Sequence, residues 1–183
     1  SAAERAAEEV KKLIDEARKL LERAHRETKK LIDEARKLNK RALDEVRRLI
    51  EEADRLLRRD GGEADEALKR AEEIAKRALD LAKRASEESE RIAREAIKLS
   101  EDAARKAREI AKRALDLARK ALKDGAAREE VAERARRLAE ELKKEADDVL
   151  RKDRDLARRA REESEEALKE AEKLARDLRR RAK

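Results

Sequence analysis

The sequence contains no cysteine, proline, methionine, tryptophan, tyrosine or phenylalanine, and only three glycines and one histidine. Without cysteine there is no disulfide, no thiolate metal site and no thiol nucleophile. Without aromatic rings there is nothing on which nucleic-acid bases could stack, and no nucleic-acid module is recognisable. No apolar run approaches the ~18 residues of a membrane span. A helix lying on a membrane surface would want bulky apolar and Trp residues on a shallow face. The N-terminus opens on Ser, Ala and Glu instead of a basic and then apolar stretch, so no secretory leader is expected. Nor does one sign of charge dominate: 54 Lys and Arg stand against 47 Asp and Glu, a net charge of +7. The signs are interspersed, which reads as a solvated, salt-bridged surface and not as a polyanion site. Arg179-Arg180-Arg181 suits a helix C-terminus, where cations complement the dipole.

Charged residues make up 55% of the chain, against roughly 25% in ordinary domains. High charge without aromatics favours disorder, but the pattern excludes it. The 39% hydrophobic residues are Ala, Leu, Ile and Val at helical spacing, and Ala, Leu, Glu, Lys and Arg are the best helix formers.

With no proline, the glycines are the only punctuation. They fall in Asp60-Gly61-Gly62 and Asp124-Gly125, each after a long periodic segment, where a left-handed C-terminal cap calls for Gly. They divide residues 1–183 into helices near 2–60, 63–124 and 126–182 of a single domain, with loops near 60–62 and 124–126. Each helix would be about 85–90 Å long at 1.5 Å per residue. Ser1-Ala2-Ala3-Glu4 fits a capping box; Ala126 is a poor N-cap for the third helix. Short connections make successive helices antiparallel. The expected fold is all-α, an antiparallel up-down-up three-helix bundle.

The chain also repeats itself. Residues 11–20 read KKLIDEARKL, residues 29–38 read the same, and 47–56 read RRLIEEADRL, a step of 18. EIAKRALDLA at 73–82 recurs at 109–118, two steps on, and Leu138, Leu156 and Leu174 keep the period in the third helix. Five turns per repeat is about 3.6 residues per turn, the pitch of an unstrained α-helix. Heptads impose left-handed supercoiling and 11-residue repeats right-handed supercoiling. This period demands neither, so the helices are expected to run nearly straight.

At ~100° per residue, Leu13, Ala17, Leu20, Leu21, Ala24, Leu31, Ile32, Ala35 and Leu38 share one arc of the first helix. Ile74, Ala75, Ala78, Leu81, Ala82 and Ala85 form an Ala-rich arc in the second, which permits close helix approach. Leu138, Ala139, Leu142, Val149 and Leu150 line the third. Near-identical blocks, the missing aromatics, a Gly loop after each of the first two helices and the 18-residue period together resemble de novo designed helical bundles of the parametric, untwisted kind. The resemblance covers the whole chain and implies high stability without inherited activity.

Eight residues break the repeat with polar groups on the apolar arcs. His25 stands where neighbouring repeats have Ala7 and Leu43, Thr28 where they have Val10 and Val46, and Asn39 where they have Leu21 and Leu57. Ser86 replaces Leu68 and Ala104, Ser89 replaces Ala71 and Ala107, and Ser100 replaces Ala82 and Ala118. Asp153 replaces Ala135 and Ala171, and Ser164 replaces Ala146 and Ala182. Antiparallel pairing places Ser100 opposite about position 23 and about position 150, and Asp153 opposite about 97 and about 26. His25, Thr28, Ser100 and Asp153 then share one level, within a helical turn of ~5.4 Å. Asn39 faces about 84 and about 166, so Asn39, Ser86, Ser89 and Ser164 share a second. Each level draws on all three helices, which points to two buried hydrogen-bond networks that restrict register.

The function expected is that of a designed structural scaffold, monomeric, with no natural biochemical activity, no cofactor, no metal and no required partner. The network containing His25 is read either as purely structural or as pH-sensitive through its imidazole. Two other readings compete: an interaction module, either a building block of a larger assembly or a helix-displacement switch, and an esterase-like catalyst. The catalyst would use Ser100 as nucleophile, His25 as base and Asp153 to orient the imidazole. It would lack an oxyanion hole, because continuous helices spend their backbone N–H groups internally. One His and one Asp are too few for a closed zinc site.

Overall fold

The computed structural model describes residues 1–59, 64–125 and 127–182. The chain forms three helices, α1 (Ala2–Arg58), α2 (Ala64–Lys123) and α3 (Glu129–Ala182). Ser1 caps α1 as its sequence requires. Its Oγ accepts the Glu4 N–H at 3.3 Å, and the Glu4 carboxylate returns to within 3.5 Å of the Ser1 nitrogen, so two otherwise unpaired donors are satisfied reciprocally. The Asp60-Gly61-Gly62 connection and Ala126 lie outside the described residues.

α2 ends on a left-handed glycine. Gly125 has φ 71°, and its N–H donates to the Leu122 carbonyl at 3.2 Å while that of Ala127 reaches the Ala121 carbonyl at 3.0 Å. These bonds occupy carbonyls that the helix end would leave open. A Cβ at position 125 would meet nothing within 4 Å, so its cost is backbone strain alone. Gly125→Ala should lower stability by about 1 kcal/mol, read as a lower guanidinium midpoint. An unchanged midpoint would mean that this turn is not left-handed in solution. α3 begins at Glu129, three residues later than the sequence suggests. Arg128 supplies the first carbonyl, accepting from Val131 and Ala132, and no Ser, Thr, Asp or Asn stands nearby to start the helix earlier.

The contacts divide the chain into two units, one of Ser1–Lys30 with Glu95–Leu156 and one of Leu31–Arg94 with Ala157–Lys183. Within the first, Glu101 pairs with Arg154 and Arg108 with Asp147, so α2 and α3 run antiparallel. Arg18 meets Glu145 and His25 meets Asp153, so α1 and α3 run parallel. Within the second, Arg36–Glu163, Arg47–Glu170 and Arg181–Asp54 again ascend together along α1 and α3. Asn39 of α1 bonds to Ser89 of α2, and Ser86 to Ser164 of α3.

Burial keeps the repeat. Ala17, Ala35 and Ala53 are each fully shielded, as are Ala78, Ala96 and Ala114 at the same 18-residue step. The buried stripe therefore does not drift around either helix between repeats, as expected for a period of about 3.6 residues per turn. Every buried hydrophobic residue described on α2 is alanine. Some larger side chains on the arcs, among them Leu13, Leu20 and Leu138 in the first unit and Ile74 and Leu81 in the second, are only partly buried and pack against those cores, whereas Leu21, Ile32, Leu142 and Leu150 are buried within them. The sequence arcs gave them the same standing as the alanines. On α2 the physical reason for the difference is space: alanine at the centre of its face lets helices approach closely, and its longer side chains then fit along the seams.

Candidate functional site

Among the described residues, seven polar or charged ones are buried: Thr28, Asn39, Ser86, Ser89, Ser100, Asp153 and Ser164. All seven are among the repeat-breaking positions. The eighth, His25, has a side chain 29% exposed.

In the first unit Asp153 is the hub. Its carboxylate, 0% exposed, accepts the Ser100 hydroxyl on Oδ2 at 2.5 Å and meets His25 Nδ1 with Oδ1 at 2.6 Å. A carboxylate that accepts the Ser100 hydroxyl on one oxygen is matched on the other by an N–H, so the pairing calls for the proton on Nδ1. α1, α2 and α3 each contribute one member. Thr28 does not join them through its side chain. Its Oγ1 donates instead to the backbone carbonyl of Ala96 at 3.2 Å. That carbonyl also receives the helical N–H of Ser100 four residues on, which puts Thr28 at the same height. Sequence reading missed Ala96 as an acceptor, because a helical carbonyl's second lone pair leaves no mark in side-chain pattern.

In the second unit the residues form two pairs. Asn39 Nδ2 donates to Ser89 Oγ at 2.7 Å, and the Ser86 and Ser164 hydroxyls bond to one another at 3.0 Å. No hydrogen bond joins the pairs among the described residues, so the expected single four-residue network is two separate bridges, α1 to α2 and α2 to α3. Among the described side chains, no buried nitrogen or oxygen lacks a hydrogen-bond partner.

Ion pairs flank both units. Arg18 and Arg36 reach Glu145 and Glu163, each 127 positions away on α3. The Arg181–Asp54 pair keeps that separation with the charges exchanged. Hydrogen bonds to Glu163 and Glu170 push the Arg36 and Arg47 guanidinium groups above their ordinary pKa. A hydrogen bond from Arg91 holds the Glu88 carboxyl below the usual range. The stability it contributes is present at neutral pH and is lost as pH falls through its folded value.

Aligned with solved structures, the chain resembles a "Computationally designed three helix bundle" with a TM-score of 0.51, at 22% identity, over 98% of this chain and 85% of that one. It has the three-helix-bundle fold. No protein-family model matches the sequence, and no curated protein matches it.

The arrangement inside this bundle decides what its polar groups can do. A hydrolytic triad places the imidazole between the hydroxyl and the carboxylate. Here the carboxylate lies in the middle and accepts the Ser100 hydrogen bond itself, so His25 is not in position to activate Ser100. No group of three or more His, Cys, Asp or Glu side chains is set to hold a metal among the described residues. No described helix of the bundle is long and apolar enough to cross a membrane.

Proposed function

We propose that this chain is a de novo designed structural scaffold whose polar levels fix the register of its helices. One observation carries the reading: repeat positions that are Ala, Leu or Val elsewhere hold polar groups that meet partners from other helices, with no described buried polar side-chain atom left over. An unpaired buried polar group costs about 1–3 kcal/mol. A shifted register would separate Asn39 from Ser89 and Ser100 from Asp153 while leaving apolar faces opposite apolar faces, so the polar residues penalise a slip by one repeat step. The three-helix-bundle fold shared with a designed protein supports the reading.

A double-mutant cycle tests it. Asn39→Leu and Ser89→Ala should each cost stability alone and less together, with a coupling energy of about 0.5–3 kcal/mol from urea unfolding. Additive effects would show that the contact does not hold the two helices in register. Light scattering on the same samples should give the mass of one chain, 21.1 kDa. A defined oligomer would favour a building block of a larger assembly.

A further inference from the structure

The Asp153–His25 contact has a side that the scaffold does not use. Nδ1 is committed to Asp153. The other ring nitrogen, Nε2, has no partner among the described residues. Every described side-chain nitrogen or oxygen shut away from solvent does have one, so Nε2 of this part-exposed ring is open to solvent. With the proton held on Nδ1, Nε2 carries the lone pair. The ring is part-buried, tied to a fully buried carboxylate, and its tautomer and orientation are set from behind. This is how a carboxylate prepares an imidazole to act as a base or nucleophile.

We propose that His25 Nε2 is a nucleophilic acyl-acceptor site for activated aryl esters, with Asp153 as its positioning residue. The Nε2 lone pair adds to the ester carbonyl, the carbon–aryloxide bond breaks, and the aryloxide leaves with its electron pair. The product is an acyl-imidazolium that still bears the Nδ1 proton, with its positive charge opposite the Asp153 carboxylate. Water then adds to the acyl carbon and the carbon–Nε2 bond breaks. The ring recovers its lone pair, one proton of the attacking water passes to solvent, and the carboxylic acid formed then gives its remaining proton to solvent. No oxidant, metal or second substrate is needed. Ser100 takes no part as nucleophile, because its proton is directed at Asp153.

The experiment uses the full chain and 4-nitrophenyl acetate. Lysines react with this ester too, but they form stable amides, whereas acyl-imidazole is removed by hydroxylamine. The intact chain should therefore show a hydroxylamine-labile acetyl group that peptide mapping places on His25, and His25→Gln should abolish it. Asp153→Ala, which installs the residue of the neighbouring repeats, should keep its helical circular dichroism and slow labile acetylation by about tenfold, one pKa unit of lost charge stabilisation. Nitrogen-15 NMR should show the Nδ1–H tautomer in the intact chain and a shift toward Nε2–H in Asp153→Ala, which packing alone would not produce. Labile acetylation unchanged in His25→Gln, a labile acetyl mapped to Ser100, or an Nε2–H tautomer in the intact chain would each overturn the proposal.

Discussion

His25→Leu should lower the unfolding free energy by about 2–3 kcal/mol, although leucine is what the next repeat carries at Leu43 and is the better helix former. The loss arises at Asp153. Its carboxylate is fully buried and keeps two partners, His25 and Ser100. Removing its one N–H partner leaves a carboxylate in a low-dielectric interior with a single hydroxyl. Breaking fully buried ion pairs costs about 3–5 kcal/mol; a smaller value applies here because the His25 ring is part-exposed, at 29%, and its contribution is screened accordingly. Adding Asp153→Ala to His25→Leu should restore most of the loss, since the stranded carboxylate is then gone. Guanidinium unfolding of the two variants reads both numbers. If the single substitution is silent, Asp153 is not an ionised buried group.

The second large effect has the opposite sign. Replacing all eight irregular residues with those of the adjacent repeats (His25→Leu, Thr28→Val, Asn39→Leu, Asp153→Ala, and alanine at Ser86, Ser89, Ser100 and Ser164) should preserve the helical signal and raise stability by about 1–4 kcal/mol. Well-packed apolar groups pay no desolvation, whereas a satisfied buried polar group roughly breaks even. What the variant should lose is uniqueness. Identical repeats facing one another tolerate displacement by whole units, which would appear as broadened NMR lines or mixed oligomers while helicity stays intact. A large fall in helicity, or one sharp set of resonances with a single-chain mass, would show that the polar levels are not what fixes the register.

These two predictions pull apart because the polar groups act on different competitors. Against the unfolded chain they contribute little net energy, and single losses hurt because they leave partners stranded. On the proposed reading they act against alternative packings, since the residues at the equivalent positions of neighbouring repeats are alanine, leucine or valine.

Much of this was legible before any coordinates. The helix count followed from the placement of glycine and the absence of proline, because only those residues end a helix made otherwise of its best formers. The Ser1 cap was written in Ser1 and Glu4. The buried faces, and the irregular positions on them, followed from a period of about 3.6 residues per turn, since residues one repeat apart must then share a face. Even the heights came close: Asp153 was placed opposite about position 26 and about position 97, and its bonds run to His25 and Ser100.

What the sequence could not decide depends on distances of an ångström or two. Antiparallel arithmetic puts His25, Ser100 and Asp153 at one height but says nothing of their order, and the order separates a carboxylate hub from a hydrolytic triad. It cannot tell that Thr28 turns to the Ala96 carbonyl, or that Asn39–Ser89 and Ser86–Ser164 are separate bridges, because side-chain rotamers and a carbonyl's spare lone pair carry no periodicity. Nor could it tell that α2 buries only alanine while Ile14, Ile32 and Leu142 are buried on the other two helices, since how closely helices approach is settled only when the faces are packed together. Periodicity along a helix is a property of one chain segment and is therefore written in it; which atom meets which across the gap exists only once the segments have come together.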